Sequence, residues 1–83
     1  MSQKVLLTLS QMEAGQTGTI INLIGGRGLV HRLEALGVRP GKKVTKTSSA
    51  LFRGPVTFRV NHTQVAVGFG MANKILVETD TST

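Results

Sequence analysis

Cysteine is absent, tyrosine and tryptophan are absent, and acidic residues number only four. Each gap removes a class of chemistry. Without cysteine there is no disulfide framework, no zinc-finger set and no redox dithiol, and a reducing compartment is the expectation for so short a chain. Without tyrosine or tryptophan, three phenylalanines are the only rings available to stack on bases. With four carboxylates spread over Glu13, Glu34, Glu78 and Asp80, no inward-facing acid pair for hydrolytic work is evident, and no catalysis is expected. Long apolar runs are missing too. The Val5-Leu6-Leu7 stretch is too short to span a bilayer or to form a signal-peptide core, so membrane insertion is not expected and the reading is cytoplasmic.

What is present is a basic surplus. Ten Lys and Arg against four Asp and Glu give a formal charge of +6. An acidic partner fits that balance: a nucleic acid, an anionic membrane surface or an acidic protein face. The cations are dispersed, with no run longer than Lys42-Lys43, which also suits a solvated surface. Eighty-three residues make one domain. We expect a single domain over 1–83, with 79–83 as a tail. The core of so small a chain is thin, and closing a sheet into a barrel covers it economically.

Glycine and proline mark the corners. Val5–Leu9 is compatible with a strand, and 10–16 reads as a loop. Thr19–Ile24 is a β-branched run of core-strand type. Gly25-Gly26-Arg27-Gly28 ends it, because three glycines in four residues leave the backbone too free. The leucines at 29, 33 and 36 then fall at i, i+4 and i+7 and predict a short helix over about 28–36. Gly37 suits its left-handed close, and Val38-Arg39-Pro40-Gly41 is a turn. Lys43–Thr47 reads as an exposed strand. Val56, Phe58 and Val60 alternate with Thr57 and Arg59, and Pro55 sits at the strand start. Asn61-His62-Thr63 turns the chain into Gln64–Val67, a helical turn fits near 70–74, and Ile75–Glu78 is a last strand. The fold class is mainly β: a small SH3-like barrel of about five strands with one short helix, with an open α+β sheet as the alternative.

Three weaker signals accompany these. His31 and Glu34, at i and i+3 on the helix, could both reach a surface ion, yet two ligands do not make a zinc or ferrous site. The glycine loop opens into a helix, the geometry that can hold phosphate, but neither the Walker pattern nor the dinucleotide fingerprint follows. Val30 flanks the helix stripe. Leu51 and Phe52 sit with Arg53 in a loop, where they either fold over a barrel end or anchor a partner. We therefore take Val30, His31, Arg32, Leu51, Phe52 and Arg53 as candidate partner-binding residues, and expect no cofactor and no metal.

The ordered set resembles a family. Gly25-Gly26 followed by Arg32-Leu33-Glu34-Ala35-Leu36-Gly37-Val38-Arg39-Pro40-Gly41 is similar to the GG…RL…LG(I/V/L)xPG stretch of FeoA-type proteins, the ferrous iron transport protein A family. Gly54-Pro55-Val56 looks like that family's strand start. Val67-Gly68 and Ala72-Asn73-Lys74-Ile75-Leu76-Val77 resemble its closing segment, and Leu9, Gly15, Gly18 and Ile20 fit its opening phase. The resemblance spans roughly residues 5 to 78; it departs from the family at Gly68-Phe69-Gly70, where members often carry more polar residues. It implies an SH3-like barrel and an accessory role in ferrous iron uptake, acting on FeoB, a membrane transporter with a cytosolic G-protein domain. The same module closes DtxR-like repressors, but no helix-turn-helix is present here. A small nucleic-acid-binding barrel is the alternative, a direct ferrous-ion carrier using His31 and Glu34 a weaker one, and self-association stays open.

Overall fold

The computed structural model describes residues 3–48 and 54–81. Six strands, β1 (Gln3–Thr8), β2 (Thr17–Leu23), β3 (Lys43–Lys46), β4 (Val56–Val60), β5 (Thr63–Val67) and β6 (Ile75–Thr81), form one antiparallel sheet in the order β1-β6-β2-β3-β4-β5. A single-turn 3-10 helix at Leu9–Gln11 follows β1. The α-helices are α1 (Arg27–Ala35) and α2 (Phe69–Ala72). The architecture is mainly β and SH3-like, with six strands where about five were expected.

The sheet wraps one apolar interior. Ile20, Val44, Val56, Phe58, Val60, Val65, Val67, Ile75 and Val77 are buried on its inner face, with Leu9, Met12 and Leu33 in the same cluster. Period-two alternation explains most of this list. On β4, Val56, Phe58 and Val60 face in, while Arg59 is exposed. The three buried side chains of this strand each contribute about 1.5–3 kcal/mol through apolar burial.

β2 breaks the alternation. Its pairing with β6 shifts register between Ile20 and Asn22, a β-bulge. Ile21 faces outward by alternation from Ile20; the extra residue leaves Asn22 exposed as well and returns the inward face at Leu23. A run read as a uniform core strand therefore exposes Ile21, and Ile24 just beyond it is 49% exposed.

α1 closes as its sequence dictates. Gly37 holds φ +90. Its amide donates to the Glu34 carbonyl, and the Val38 amide donates to Leu33. These are the paired bonds of a Schellman close, and the apolar contact that accompanies it is Leu33 with Val38, both fully buried. Leu36 is the C-cap, not a helix residue, and it is 44% exposed, so the predicted stripe loses its last leucine. The next turn has Pro40 ahead of Gly41 at φ +93, and Lys42 N–H donates to Arg39 O at 3.2 Å. That is the pattern of a type II turn. Gly41 N–H also bonds Ile20 O at 2.6 Å and pins the turn to β2.

Two expectations are corrected. β3 is not an exposed strand: it lies between β2 and β4, with Val44 and Lys46 buried. The last strand does not end at Glu78 but runs to Thr81. Thr79 is buried there, its hydroxyl donating to Thr17 O at 2.8 Å.

The β4–β5 hairpin turns on Asn61 and His62, at φ 52 and φ 64. Positive φ at both central residues of a two-residue loop is the type I′ geometry, whose second position favours glycine. We expect His62→Gly to raise stability by about 0.5–1 kcal/mol, seen as a melting midpoint about 2–8 °C higher. An unchanged or lower midpoint would show that the left-handed histidine carries no strain.

Candidate functional site

The helix places its side chains by 3.6-residue geometry. Leu33 points into the core, and Leu29 packs against it half-buried. Arg27, Val30, His31 and Glu34 recur at i, i+3, i+4 and i+7, so they share the neighbouring face. With Gly25 they line an open depression of about 440 Å³. Val30 is half-buried against the core and forms its apolar part, while Arg27 and His31 are exposed.

The loop before the helix sets the depression's edge. Gly25 holds φ +149, and a Cβ there would lie 2.3 Å from Leu29 Cδ2. Glycine at 25 lets the chain pass close over the helix. Ile24 leads into it, its amide donating to Lys74 O at 2.7 Å. An exposed isoleucine thus precedes the depression in the chain.

Charge on this side is one-signed apart from Glu34. The first turn of α1 carries Arg27 and no acidic residue, and its N-cap, Gly26, has no side-chain bond. Unpaired amides at a helix start and a guanidinium beside them both favour an approaching carboxylate. Arg32 lies in the last turn, and Arg39 Nε reaches toward Glu34 O at 3.5 Å.

The structure brings Val30 and His31 together in the depression and leaves Arg32 exposed on the same helix but outside its lining. Leu51, Phe52 and Arg53 lie outside the described residues. Gly25, Arg27 and Glu34 join the site and were not singled out as partner contacts, although helical spacing from Val30 and His31 reaches both side chains. Among the described residues, no group of three or more His, Cys, Asp or Glu could hold a metal ion, so His31 and Glu34 gain no third ligand. His62 sits in the β4–β5 turn.

A second, polar cleft of about 300 Å³ lies on the outer sheet face, lined by Lys4, Thr17, Thr19, Lys43, Glu78 and Asp80 among others. Lys4 Nζ and Glu78 Oε1 stand 3.6 Å apart. Both ends of that pair reach solvent, which leaves it little net energy. The aromatic side chains offer no stacking platform among the described residues: Phe58 is fully buried and Phe69 packs half-buried on the core.

Among the described residues one cation is interior. Lys46 is 2% exposed, and its ammonium donates to Ser10 O at 3.1 Å and Met12 O at 2.5 Å. Burial holds its pKa below the ordinary lysine value. It braces the 3-10 turn against β3. It lines neither depression.

Comparison with known proteins places this geometry. A family model described as the FeoA domain matches residues 7–79. A crystal structure of an iron uptake regulatory protein, FeoA, is 27% identical; it covers 93% of this chain and all of that one, with a TM-score of 0.84. The FeoA protein of Chlorobium tepidum is 22% identical over 88% of this chain and 70% of its own, with a TM-score of 0.80. A manganese-dependent transcriptional repressor shares the fold at 17% identity and a TM-score of 0.83, over 93% of this chain and 43% of the repressor. No curated protein sequence matches. Among the described residues, no helix is long and apolar enough to cross a membrane.

Proposed function

Because this chain belongs to the FeoA domain family, which is linked to ferrous iron transport, we propose that it is a cytoplasmic accessory protein that docks onto the cytosolic part of a FeoB-type transporter and modulates its activity. The observation that carries the reading is the full-length likeness to an iron uptake regulatory protein, at 27% identity and a TM-score of 0.84. The depression on α1 supplies the means. Its apolar floor at Val30 and its rim, with the guanidinium of Arg27 and the imidazole of His31, suit an apolar anchor carried on an acidic protein face.

The proposed contact residues are Val30, His31 and Arg32 on the helix, with Leu51, Phe52 and Arg53 from the sequence between β3 and β4. No catalytic step is assigned to any of them. His31 is exposed, so His31→Glu leaves the core untouched while adding a negative charge beside Arg27. We expect it to weaken binding to the transporter's soluble G-protein domain by about tenfold, read by calorimetric titration beside an unchanged melting midpoint. Wild-type affinity in His31→Glu with loss in Phe52→Ala would move the contact to residues 51–53. Wild-type affinity in both variants would refute this contact set.

A further inference from the structure

The open edges of the sheet differ in character. β1 carries the exposed Lys4, whose charge discourages strand addition. β5 has no such guard. Thr63-Gln64-Val65-Ala66-Val67 holds no charge and no proline, and its pairing with β4 runs from Val60↔Thr63 to Val56↔Val67 without a register shift. In a chain of net charge +6, that is an uncharged, unbulged edge. Among the described residues β5 pairs with β4 alone.

Hairpin geometry settles which backbone groups point outward. Val60 and Thr63 flank the two-residue turn, so they are a hydrogen-bonded pair. Alternation then makes Phe58–Val65 and Val56–Val67 bonded pairs as well. The amides and carbonyls of Gln64 and Ala66 are left facing the free edge.

We propose that β5 is a self-association edge, pairing antiparallel with β5 of a second copy about a two-fold axis through Val65. In this register Gln64 lies opposite Ala66 of the second copy, and the two exchange both their bonds. The symmetry repeats the exchange on the other side of the axis, so every outward group of Gln64 and Ala66 is satisfied. A second copy is the occupant that this pattern fits, because the outward residues are spaced symmetrically about Val65 and the contact closes as an isologous pair. On the outer face the side chains that meet are Gln64 and Ala66, small or neutral and already exposed, and on the inner face Val65 meets its own counterpart. Arg59 on β4 does not oppose the contact. Arg59 lies on β4 opposite Gln64, so the two Arg59 residues stand three strand spacings apart. At about 4.8 Å each that exceeds the ~8 Å screening length at physiological salt. The contact is a single strand pair, which makes the dimer weak, with a Kd on the order of 0.1–1 mM. The edge uses no residue of the α1 depression, so the proposal stands or falls apart from the docking reading.

Amide NMR spectra of the full chain across a dilution series from about 1 mM, where a dimer this weak is populated, test it. The expected result is concentration-dependent shifts centred on the Gln64 and Ala66 amides, with hydrogen exchange at both slowed at high concentration. Ala66→Lys places a charge on the exposed edge outside the core, and it should abolish the dependence while leaving the melting midpoint in place. Shifts confined to α1, association that survives in Ala66→Lys, growth beyond a dimer by sedimentation, or no dependence on concentration would each overturn the proposal.

Discussion

Gly18→Ala lowers the melting midpoint by about 10–20 °C, the equivalent of roughly 2–3 kcal/mol in a domain of this size. The cause is a close crossing of β2 and β6. A Cβ at position 18 would lie 2.4 Å from Val77 Cγ1, 2.8 Å from the Glu78 carbonyl oxygen and 3.3 Å from Thr79 Cβ. The valine methyl can rotate away only within a packed core. The carbonyl belongs to the backbone of β6 and cannot move without disturbing its pairing with β1, where Glu78 faces Leu6. Thr79 is held as well, by its bond to Thr17 O. One methyl group therefore works against three consecutive residues of β6, and bulkier residues are expected to prevent folding. Thermal melts with circular dichroism check this, and a midpoint within about 2 °C of wild type would show that the strands separate freely.

Lys46→Met costs about 2–3 kcal/mol at neutral pH. The substitution keeps the length and apolar stem of the side chain but deletes the ammonium that serves Ser10 O and Met12 O. Met12 is itself buried, and the turn that carries both carbonyls packs against the core. Two acceptors lose a charged donor where water cannot readily replace it. Relief from burying a charge offsets part of this loss, and for that reason the expected cost is smaller than the sum of two charged bonds. The pH dependence has a definite sign. Burial lowers the folded-state pKa below 10.5, so between that value and 10.5 the unfolded chain binds more protons at this site. Stability from Lys46 then rises with pH across the window. The methionine variant lacks the titration, so the gap between wild type and variant widens as pH climbs. Denaturant titrations at neutral and alkaline pH read both effects. A variant as stable as wild type would show that the carbonyls find other partners.

Much of the fold was legible because its signals are local. Leu29 and Leu33 set the helix, Gly37 and the Pro40-Gly41 pair set its exit, and Val56, Phe58 and Val60 set β4. Each depends on a few neighbouring residues and a known backbone preference. The misread elements depend on distant ones. Lys46 looks like surface charge until the turn after β1 supplies two carbonyls. Met12 looks like loop until that turn folds inward. Leu23 is out of phase with Ile20 until the bulge in the pairing with β6 turns it inward, and nothing near Gly18 in the chain announces the approach of β6. Thr79 passes for tail for the same reason: its burial comes from strands far away in sequence.

The candidate site divides along the same line. Val30 and His31 were legible from their place beside the leucine stripe, and spacing alone could have added Arg27 and Glu34 to them. Gly25 could not have been added, because its part comes from the close passage of the loop over Leu29. The word iron came from the resemblance, and the family match over residues 7–79 upholds it. Neither charge nor periodicity carries that information.

Calorimetric titration of the wild-type protein against the soluble G-protein domain of a FeoB-type transporter from the same organism, at physiological salt, decides the proposed role. Saturable binding with defined stoichiometry, in at least one nucleotide state, is the expected result. Absence of binding in every nucleotide state, repeated with the full-length transporter in detergent or nanodiscs, would contradict docking on FeoB and turn attention to a different acidic partner for the basic helix face.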